Sequence, residues 1–363
     1  MVHQKRILFL FPIGPNLPTG GMKVIYDYCN RLAQDGCKVT ILYAAYFNST
    51  EKTLKRKMKA VAKYCYVKLL YGRSGYTWYK KEQAVKEKFV WSLNRRSIPE
   101  ADVYIATAVN TASYLDMLNV DAEKKYYFVQ GYENFIVPDD DYIKWTYRLP
   151  LKKIVISQWL AKLMKEEGQE CVVIPDGFDF NKFKLTIPIE VKDKHLVSML
   201  YHVTPNKDAS MGLRAMEIAR QQISQLRLVM FGAYNKPAGL PDWVTYYQRP
   251  SMEQHLKINN QAAIYIGTSR NEGWGMTVGE AMMCGQAVAC TDNDGFKEMA
   301  IDGLNALLSP VGDAETMAAN IVKLVEDDDL RHRLAKKGLE TIKEFDFEKS
   351  YQSFKKYILQ ENR

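Results

Sequence analysis

The fold is decided by residues 263–291, AIYIGTSRNEGWGMTVGEAMMCGQAVACT. Ala263–Gly267 is a short apolar run typical of a buried strand, and Ala287–Thr291 is a second one. Between them, a glycine-rich loop leads into Thr277–Cys284, which we expect to be helical. A strand, a loop, a helix and a second strand form the repeating unit of parallel sheets covered by helices, so this stretch predicts an α/β fold.

The same alternation occurs at the start of the chain and again near its middle. The predicted elements of these two units are strand Arg6–Phe11, helix Met22–Gln34, strand Lys38–Tyr43, strand Leu196–Tyr201, helix Met211–Gln222 and strand Arg227–Phe231. A chain of 363 residues is too long for one hydrophobic core. Two doubly wound Rossmann-like domains are therefore expected.

We expect the N-terminal domain to span 1–180 and the C-terminal domain 190–344, with a C-terminal helix at about 345–363 completing the first domain. The first domain is predicted to contain the further strands Asp102–Ala106, Tyr126–Gln130, Lys153–Ser157 and Val172–Pro175. Residues 50–95 are expected to be helical and basic. Because ligands of such folds bind at the carboxyl ends of the strands, the two domains are predicted to face each other across a ligand-binding cleft.

Composition excludes some classes of protein. No apolar run approaches the length that a membrane span requires, and Ile7–Pro12 is too short for a signal-peptide core, so a cytoplasmic protein is expected. The six cysteines form no C-x-x-C pair, and Cys284 and Cys290 are predicted to be buried thiols rather than metal ligands.

The loop Asn271–Glu280 carries the strongest chemical signal. Gly273 and Gly275 allow the backbone to approach a ligand closely, and the N–H groups of residues 276–278 are expected to be free at the start of a helix. Such a helix start favours phosphate. Glu280 is expected in the first turn, where the helix dipole favours a carboxylate and where it could bind a ribose diol. Taken alone, the segment fits a capped helix start equally well.

Several motifs together resemble the family 4 glycosyltransferases, which are retaining enzymes with the GT-B fold. The resemblance lies in Glu272 and Glu280 at their spacing, in Ile174–Asp179 (IPDGFD), in Thr204–Lys207 (TPNK), in Gly20-Gly21 and in Gly285–Glu298. A finer likeness, Tyr127–Glu133 (YFVQGYE), points to a rhamnosyltransferase-like subgroup of surface-polysaccharide enzymes. The resemblance implies a hexosyltransferase that transfers a sugar from a UDP, GDP or dTDP donor to a glycan or lipid-linked acceptor.

The resemblance also implies roles for individual residues. Lys207 and His202 would neutralise the leaving diphosphate, although His202 stands where the family has Arg, and Glu272 would contact the donor sugar. The donor would further be bound by Gly20, Gly21, Gly273, Trp274, Gly275, Met276, Thr277 and Glu280. Gln130, Tyr132 and Glu133 would position the acceptor, and Gln130 cannot transfer protons because an amide is neither acid nor base.

No cofactor is expected. The triplets Asp139–Asp141 and Asp292–Asp294 fit a D-x-D metal motif, but the first is predicted to be a solvated turn and a metal role is not expected.

An NAD-dependent oxidoreductase is disfavoured because the opening loop lacks G-x-G-x-x-G. A sugar-nucleotide epimerase of the same fold and a non-catalytic glycosyltransferase-like binding subunit remain open alternatives.

The net charge of +8 lies entirely in residues 1–180, and residues 49–96 alone carry +11. Within 52–68, the basic residues Lys52, Lys55, Arg56, Lys57, Lys59, Lys63 and Lys68 alternate with Leu54, Met58 and Val61. This pattern fits either contact with the anionic inner face of the membrane or a solvated helix that packs its apolar face on the domain. No nucleic-acid-binding motif accompanies the charge.

Overall fold

The computed structural model describes residues 4–47, 54–72, 74–134 and 137–360. Their contacts divide the chain into two compact units. Unit 1 contains Met1–Pro175 and Tyr351–Arg363, and unit 2 contains Asp176–Ser350. Across the described residues, no helix is both long and apolar enough to cross a membrane.

Unit 1 is built on a seven-stranded parallel sheet in the order β3-β2-β1-β4-β5-β6-β7. Its strands are β1 (Arg6–Pro12), β2 (Lys38–Tyr46), β3 (Lys86–Ser92), β4 (Val103–Ala106), β5 (Lys125–Val129), β6 (Lys152–Val155) and β7 (Cys171–Val173). Its helices are α1 (Gly20–Gln34), α2 (Leu54–Tyr71), α3 (Val109–Asp116), α4 (Asp140–Tyr147) and α5 (Gln158–Glu166). The predicted strands of this unit are confirmed to within a few residues.

The expectation that residues 50–95 are helical is wrong beyond Tyr71. The helix α2 ends there, and the chain forms a loop and then β3. Strand β3 pairs with β2 alone and lies at the edge of the sheet. Its exposed Lys86 and Lys88 alternate with the less exposed Glu87 and the buried Phe89, and an edge strand with lysines on its solvent side lacks the apolar run that identifies a central strand.

Unit 2 is built on a six-stranded parallel sheet in the order β10-β9-β8-β11-β12-β13. Its strands are β8 (Asp193–Leu200), β9 (Arg227–Gly232), β10 (Val244–Gln248), β11 (Ala262–Gly267), β12 (Ala287–Thr291) and β13 (Ala306–Ser309). Its helices are α6 (Ala209–Gln222), α7 (Met252–Gln261), α8 (Met276–Met283), α9 (Asp294–Lys297), α10 (Ala314–Glu326) and α11 (Asp328–Ile342). The sequence did not predict β10 or β13. Cys284 and Cys290 are buried free thiols, as expected.

The last helix, α12 (Phe347–Leu359), returns the chain to unit 1. Phe354 is fully buried and stacks on Tyr28 of α1 with ring centroids 4.6 Å apart. Tyr351 donates a hydrogen bond of 2.6 Å to Asp35, the capping residue that follows α1. Residues 351–359 therefore supply part of the core of unit 1, although they follow unit 2 in the chain.

A close contact in unit 2 fixes the position of helix α8. A Cβ atom added at Gly279 would lie 2.0 Å from Cζ of Phe178, whose ring is buried. The bare backbone of α8 is therefore the surface against which this ring packs, and a larger residue at this position would force the helix and the ring apart.

We predict that Gly279→Ala lowers the free energy of unfolding by about 1–3 kcal/mol, because the added methyl group overpacks the contact with Phe178. Chemical denaturation measures the change. Gly14→Ala is the control, since its Cβ would meet only Sδ of Met22 at the ordinary distance of 3.9 Å. Equal stabilities of the two variants would contradict the packing described here.

Candidate active site

The candidate site of unit 2 lies where the strand order reverses. Strands β8 and β11 pair in parallel, with Met199 opposite Ile266, so the loops that follow them leave the same edge of the sheet side by side. From β8 the sheet continues outward to β9, and from β11 it continues outward on the other side to β12. Ligands of open parallel sheets bind at such a switch point.

Backbone contacts hold these two loops together. Asn206 accepts a hydrogen bond of 2.8 Å from the N–H of Arg270, and its side-chain amide donates one of 2.8 Å to the carbonyl of Asn271. The Thr268 hydroxyl donates to the carbonyl of Lys207 at 2.7 Å. Residues 204–208 and 268–272 therefore form one hydrogen-bonded surface, which carries the predicted catalytic residues Lys207 and Glu272.

Two of the predicted catalytic residues, Lys207 and Glu272, form an ion pair. The Nζ of Lys207 donates to Oε1 of Glu272, and the Ser269 hydroxyl donates to the same oxygen at 2.7 Å. The lysine side chain is 25% exposed and the glutamate side chain 14%, so the pair is partly shielded from water. An ammonium group has three donors, and Oε2 of Glu272 makes no hydrogen bond with the described residues. The pair can therefore offer both donors and an acceptor to a polar ligand.

The third predicted catalytic residue, His202, lies beside this pair as a neutral donor. The N–H of Thr204 donates to Nδ1 of His202 at 3.1 Å, and the Thr204 hydroxyl lies 2.7 Å from the same atom. Because a backbone N–H can only donate, Nδ1 accepts and the proton of the neutral ring sits on Nε2. Burial, with the charge of Lys207 second, lowers the pKa of His202, whereas Glu272 acts in the opposite direction. His202 is thus disfavoured as a cation and can act on a diphosphate only as a neutral hydrogen-bond donor.

Helix α8 starts at a left-handed residue. Gly275 has φ 109°, and a Cβ atom there would lie 2.7 Å from the ring of Phe296. The N–H of Val278 is already bonded to the Gly275 carbonyl at 3.0 Å, so the expectation that it is free is wrong. Met276 and Thr277 are the first two helical residues, whose N–H groups lie before the helix's own bonding begins.

Glu280 is buried and is the fifth residue of α8, so it lies in the second turn rather than the first. The dipole argument made for it from sequence is correspondingly weaker, because the effect fades after the first turn. Trp274 is also buried and packs edge-on against Phe345, with ring centroids 5.0 Å apart. Gly273 lies between Glu272 and Trp274 in the same loop.

Sequence reasoning missed the residues that order the site. Asn206 joins the two loops, and Asp208 adopts φ 44°, caps α6 and forms a 2.8 Å ion pair with Arg270. A signal for Asp208 was present, since an aspartate before an apolar periodic run is a common helix cap. The partners of Asn206 lie 64 and 65 residues away, at Arg270 and Asn271, and nothing local indicates them.

The predicted residues of unit 1 form a second group at the carboxyl ends of β1, β4 and β5. Gly20 and Gly21 open α1, and a Cβ atom at Gly21 would lie 2.7 Å from Oε1 of Gln130, which follows β5. The hydroxyl of Thr19 and Nε2 of Gln130 are buried and have no hydrogen-bond partner among the described residues. Buried polar atoms of this kind are costly unless a ligand or water satisfies them.

Glu133 and Tyr132 continue this group. Oε2 of Glu133 accepts from the N–H of Val109, the first residue of α3, at 2.6 Å. Burial raises the pKa of Glu133 to about 8, against which the Val109 N–H acts in the lowering direction. Burial, together with a hydrogen bond to Asp140, raises the pKa of Tyr132 to about 12. Glu133 is therefore a carboxyl group that carries its proton near neutral pH.

Both acidic triplets are occupied by structural contacts. Asp139 caps α4 by accepting from the N–H of Tyr142 at 3.0 Å, so the predicted solvated turn is instead a helix start. Asp292 and Asp294 both pair with Lys297, at 2.9 and 3.3 Å. Within the described parts of the chain, no group of three or more His, Cys, Asp or Glu side chains is arranged to hold a metal ion.

Residues 181–341 match the family described as glycosyl transferases group 1. An uncharacterized glycosyltransferase of Methanocaldococcus jannaschii, MJ1178, is 31% identical over 108 residues, which is 30% of this chain and 31% of that protein. The phosphatidyl-myo-inositol mannosyltransferase of Mycolicibacterium smegmatis is 37% identical over 76 residues, which is 21% of this chain and 20% of that protein. The chain thus matches less than a third of the length of these curated relatives.

Among solved structures, HepE of Anabaena in complex with UDP and glucose has a TM-score of 0.71 and 17% identity, covering 99% of this chain and 100% of that one. The two parallel-sheet units therefore have the GT-B fold that the sequence predicted. Residues 181–341, which lie in unit 2, are similar to the glycosyltransferase group 1 family.

We predict that His202 is the Nε2–H tautomer and titrates below the ordinary value of 6.5, because burial and Lys207 disfavour its charged form. Two-dimensional ¹H–¹⁵N spectra of the imidazole nitrogens over a pH series test this, with His202→Asn assigning the signals. A ring protonated on Nδ1 when neutral, or a pKa above 6.5, would contradict the geometry.

The raised pKa of Glu133 leads to a prediction about how the stability of the protein depends on pH. Its pKa is raised in the folded state, so the folded protein holds a proton that the unfolded chain releases above about 4.5, and stability is lost as pH rises towards about 8. Glu133→Gln keeps an acceptor for the Val109 N–H and cannot ionise. We expect the variant to be more stable than the wild type near pH 8, with the difference vanishing near pH 4.

Urea unfolding across this pH range measures the effect. Glu217→Gln, at an exposed position of α6, is the matched control and should follow the wild-type curve. If the free energies of unfolding of Glu133→Gln and the wild type change in parallel with pH, the carboxyl group is ionised in the folded protein. That result would contradict the assignment of Glu133 as a protonated carboxyl group.

Proposed function

We propose that this protein is a retaining glycosyltransferase that moves a sugar from a nucleotide-sugar donor to a glycan or lipid-linked acceptor. The observation that carries the proposal is the partly buried Lys207–Glu272 pair at the switch point of unit 2. A nucleotide sugar presents a diphosphate and sugar hydroxyls next to each other. The pair offers a cation for the first and a carboxylate for the second.

Charge stabilisation is the main demand of the reaction, because cleavage of the glycosidic bond places negative charge on the departing diphosphate. Lys207 supplies a full positive charge, and the Nε2–H of His202 adds a neutral donor beside it. The N–H groups of Met276 and Thr277 at the start of α8 can donate to the same phosphates. Gly275 makes this possible, since its left-handed backbone turns the loop into the helix.

The two glutamates contact the remaining parts of the donor, Glu272 the sugar and Glu280 the ribose. Glu272 is held by Lys207 and Ser269 through Oε1, which directs Oε2 to the hydroxyls of the sugar. Glu280 lies one helical turn beyond the phosphate-binding N–H groups, the place at which the ribose of a bound nucleotide would accept a carboxylate partner. In a retaining mechanism with attack from the leaving-group face, the departing phosphate serves as the base and no protein nucleophile is required.

The acceptor is assigned to unit 1. Gln130 and Thr19 hold unsatisfied polar atoms that suit sugar hydroxyls, and the protonated Glu133 can donate a hydrogen bond but does not act as a base near neutral pH. We assign the protein to family 4 and to its rhamnosyltransferase-like subgroup on the YFVQGYE motif at Tyr127–Glu133. UDP is the first nucleotide to test, because HepE binds it, and a lipid-linked acceptor is supported by the name of the mannosyltransferase relative.

We predict that Lys207→Met lowers kcat for transfer or donor hydrolysis by about 100-fold or more, because it removes a preorganised charge at the leaving group. The matched control is Lys336→Met, which also removes an ion-paired lysine of unit 2 but lies on an exposed pair with Glu190. Purified variants are assayed with UDP-, GDP- and dTDP-sugars.

A Lys207→Met variant as active as the control would contradict the assignment of this site. Retention is tested separately by NMR of the first product anomer, since an inverted product would leave the donor site standing and remove only the retaining mechanism.

A further inference from the structure

One face of helix α2 packs on unit 1, and the opposite face is exposed to solvent. Residues in a helix advance by about 100°, so Ala60, Tyr64, Val67 and Tyr71 share one face. This face packs on the sheet of unit 1: Val67 is buried, Tyr64 meets the ring of Trp91 edge-on at 6.1 Å and Tyr71 meets Tyr76 at 5.4 Å. The helix is therefore already anchored through this one side.

The opposite face is apolar and exposed. It is a stripe formed by Leu54, Met58, Val61, Cys65 and Leu69, spaced four, three, four and four residues apart. Leu54 is 74% exposed, Met58 65% and Leu69 84%. Tyr66 and Leu70 beside the stripe are exposed as well. The stripe runs about 22 Å along the helix, and a contiguous apolar surface of this kind marks an interaction site.

The apolar stripe is accompanied by positive charge. Residues 54–71 contain six basic side chains and no acidic one. Lys57, Lys59, Lys63 and Lys68 are exposed, but the ammonium groups of Lys63 and Lys68 donate to the carbonyls of Ile13 and Phe89 in unit 1. The ammonium group of Lys57 lies 5.8 Å from the ring centroid of Tyr46, and Lys59 makes no hydrogen bond or ion pair with the described residues. Lys52, like the side chains of Lys55 and Arg56, lies outside what the structure describes. An apolar stripe bordered by lysines is the pattern of helices that lie in a membrane interface.

We propose that this stripe docks on an anionic lipid surface, with Leu54, Met58 and Leu69 entering the acyl boundary and with Lys57 and Lys59 at its border contacting the headgroups. The alternative expected from sequence, an apolar face packed on its own domain, describes the opposite side of the helix and leaves the stripe exposed. A second copy fits the stripe less well, because pairing two such helices would bring together twelve basic side chains without an acidic partner.

This inference goes beyond the proposed transfer reaction and does not depend on it. Its readout is lipid binding without substrate, so failure here leaves the donor site of unit 2 untouched, and failure of the donor site leaves lipid binding untouched.

The first test is flotation of the full chain with vesicles of phosphatidylcholine alone and of phosphatidylcholine with phosphatidylglycerol. We expect binding only to the anionic vesicles. Met58→Ser/Leu69→Ser and Lys57→Gln/Lys59→Gln should each weaken it by about tenfold or more. The matched controls, Met117→Ser/Val191→Ser and Lys257→Gln/Lys356→Gln, change exposed apolar residues and exposed lysines elsewhere and should bind as the wild type does.

The second test uses Cys65, which is exposed on the stripe, while the other described cysteines are buried or half-buried. An environment-sensitive fluorophore on Cys65 should shift to the blue on anionic vesicles, whereas the same label at Met117→Cys in a Cys65→Ser background should not. Absence of wild-type binding, or equal binding by the stripe variants, would overturn the proposal. So would a vesicle-independent dimer, seen by sedimentation, that the stripe variants abolish.

Discussion

The parallel pairing of β8 with β11 is the constraint on which the candidate site depends. These strands are separated in sequence by β9, β10 and two helices, yet they are neighbours in the sheet. Their pairing brings the loop of His202 and Lys207 against the loop of Glu272, where Asn206 joins them. If β11 paired elsewhere, the lysine and the glutamate would not meet. The site is thus a consequence of topology first and of side-chain identity second.

The chemistry of the site follows from placing charge where water is partly excluded. Lys207 and Glu272 neutralise each other, and Ser269 fixes the carboxylate, so neither charge is left uncompensated in a half-buried position. A phosphate ligand can share the ammonium group without displacing this carboxylate, because the lysine has further donors. His202 adds directionality rather than charge: Thr204 holds its Nδ1 as an acceptor and so fixes the donor on Nε2. The position at which the sequence resemblance implies an arginine therefore holds a neutral hydrogen-bond donor instead of a cation.

Much of the fold and part of the site could be predicted from sequence. Central strands such as β1 and β11 are buried on both faces and stand out as apolar runs. The strands that were missed, β3, β10 and β13, all lie at sheet edges, where lysine, threonine or a short length hides the pattern. Likewise, the loop Asn271–Glu280 could be recognised because glycines and a helix start are local features. The roles of Asn206, Thr204 and Ser269 depend on contacts that only the folded chain creates, and so does the raised pKa of Glu133.

The central claim is that Lys207 and its partners in unit 2 hold the diphosphate of a sugar nucleotide. Calorimetric titration of the wild type and of Lys207→Met with UDP, GDP and dTDP, each beside its parent nucleoside, tests this most directly. The account predicts that one diphosphate binds far more tightly than its nucleoside and that Lys207→Met removes most of this difference while nucleoside binding is unchanged. Binding of no diphosphate, or a diphosphate preference that survives in Lys207→Met, would contradict it.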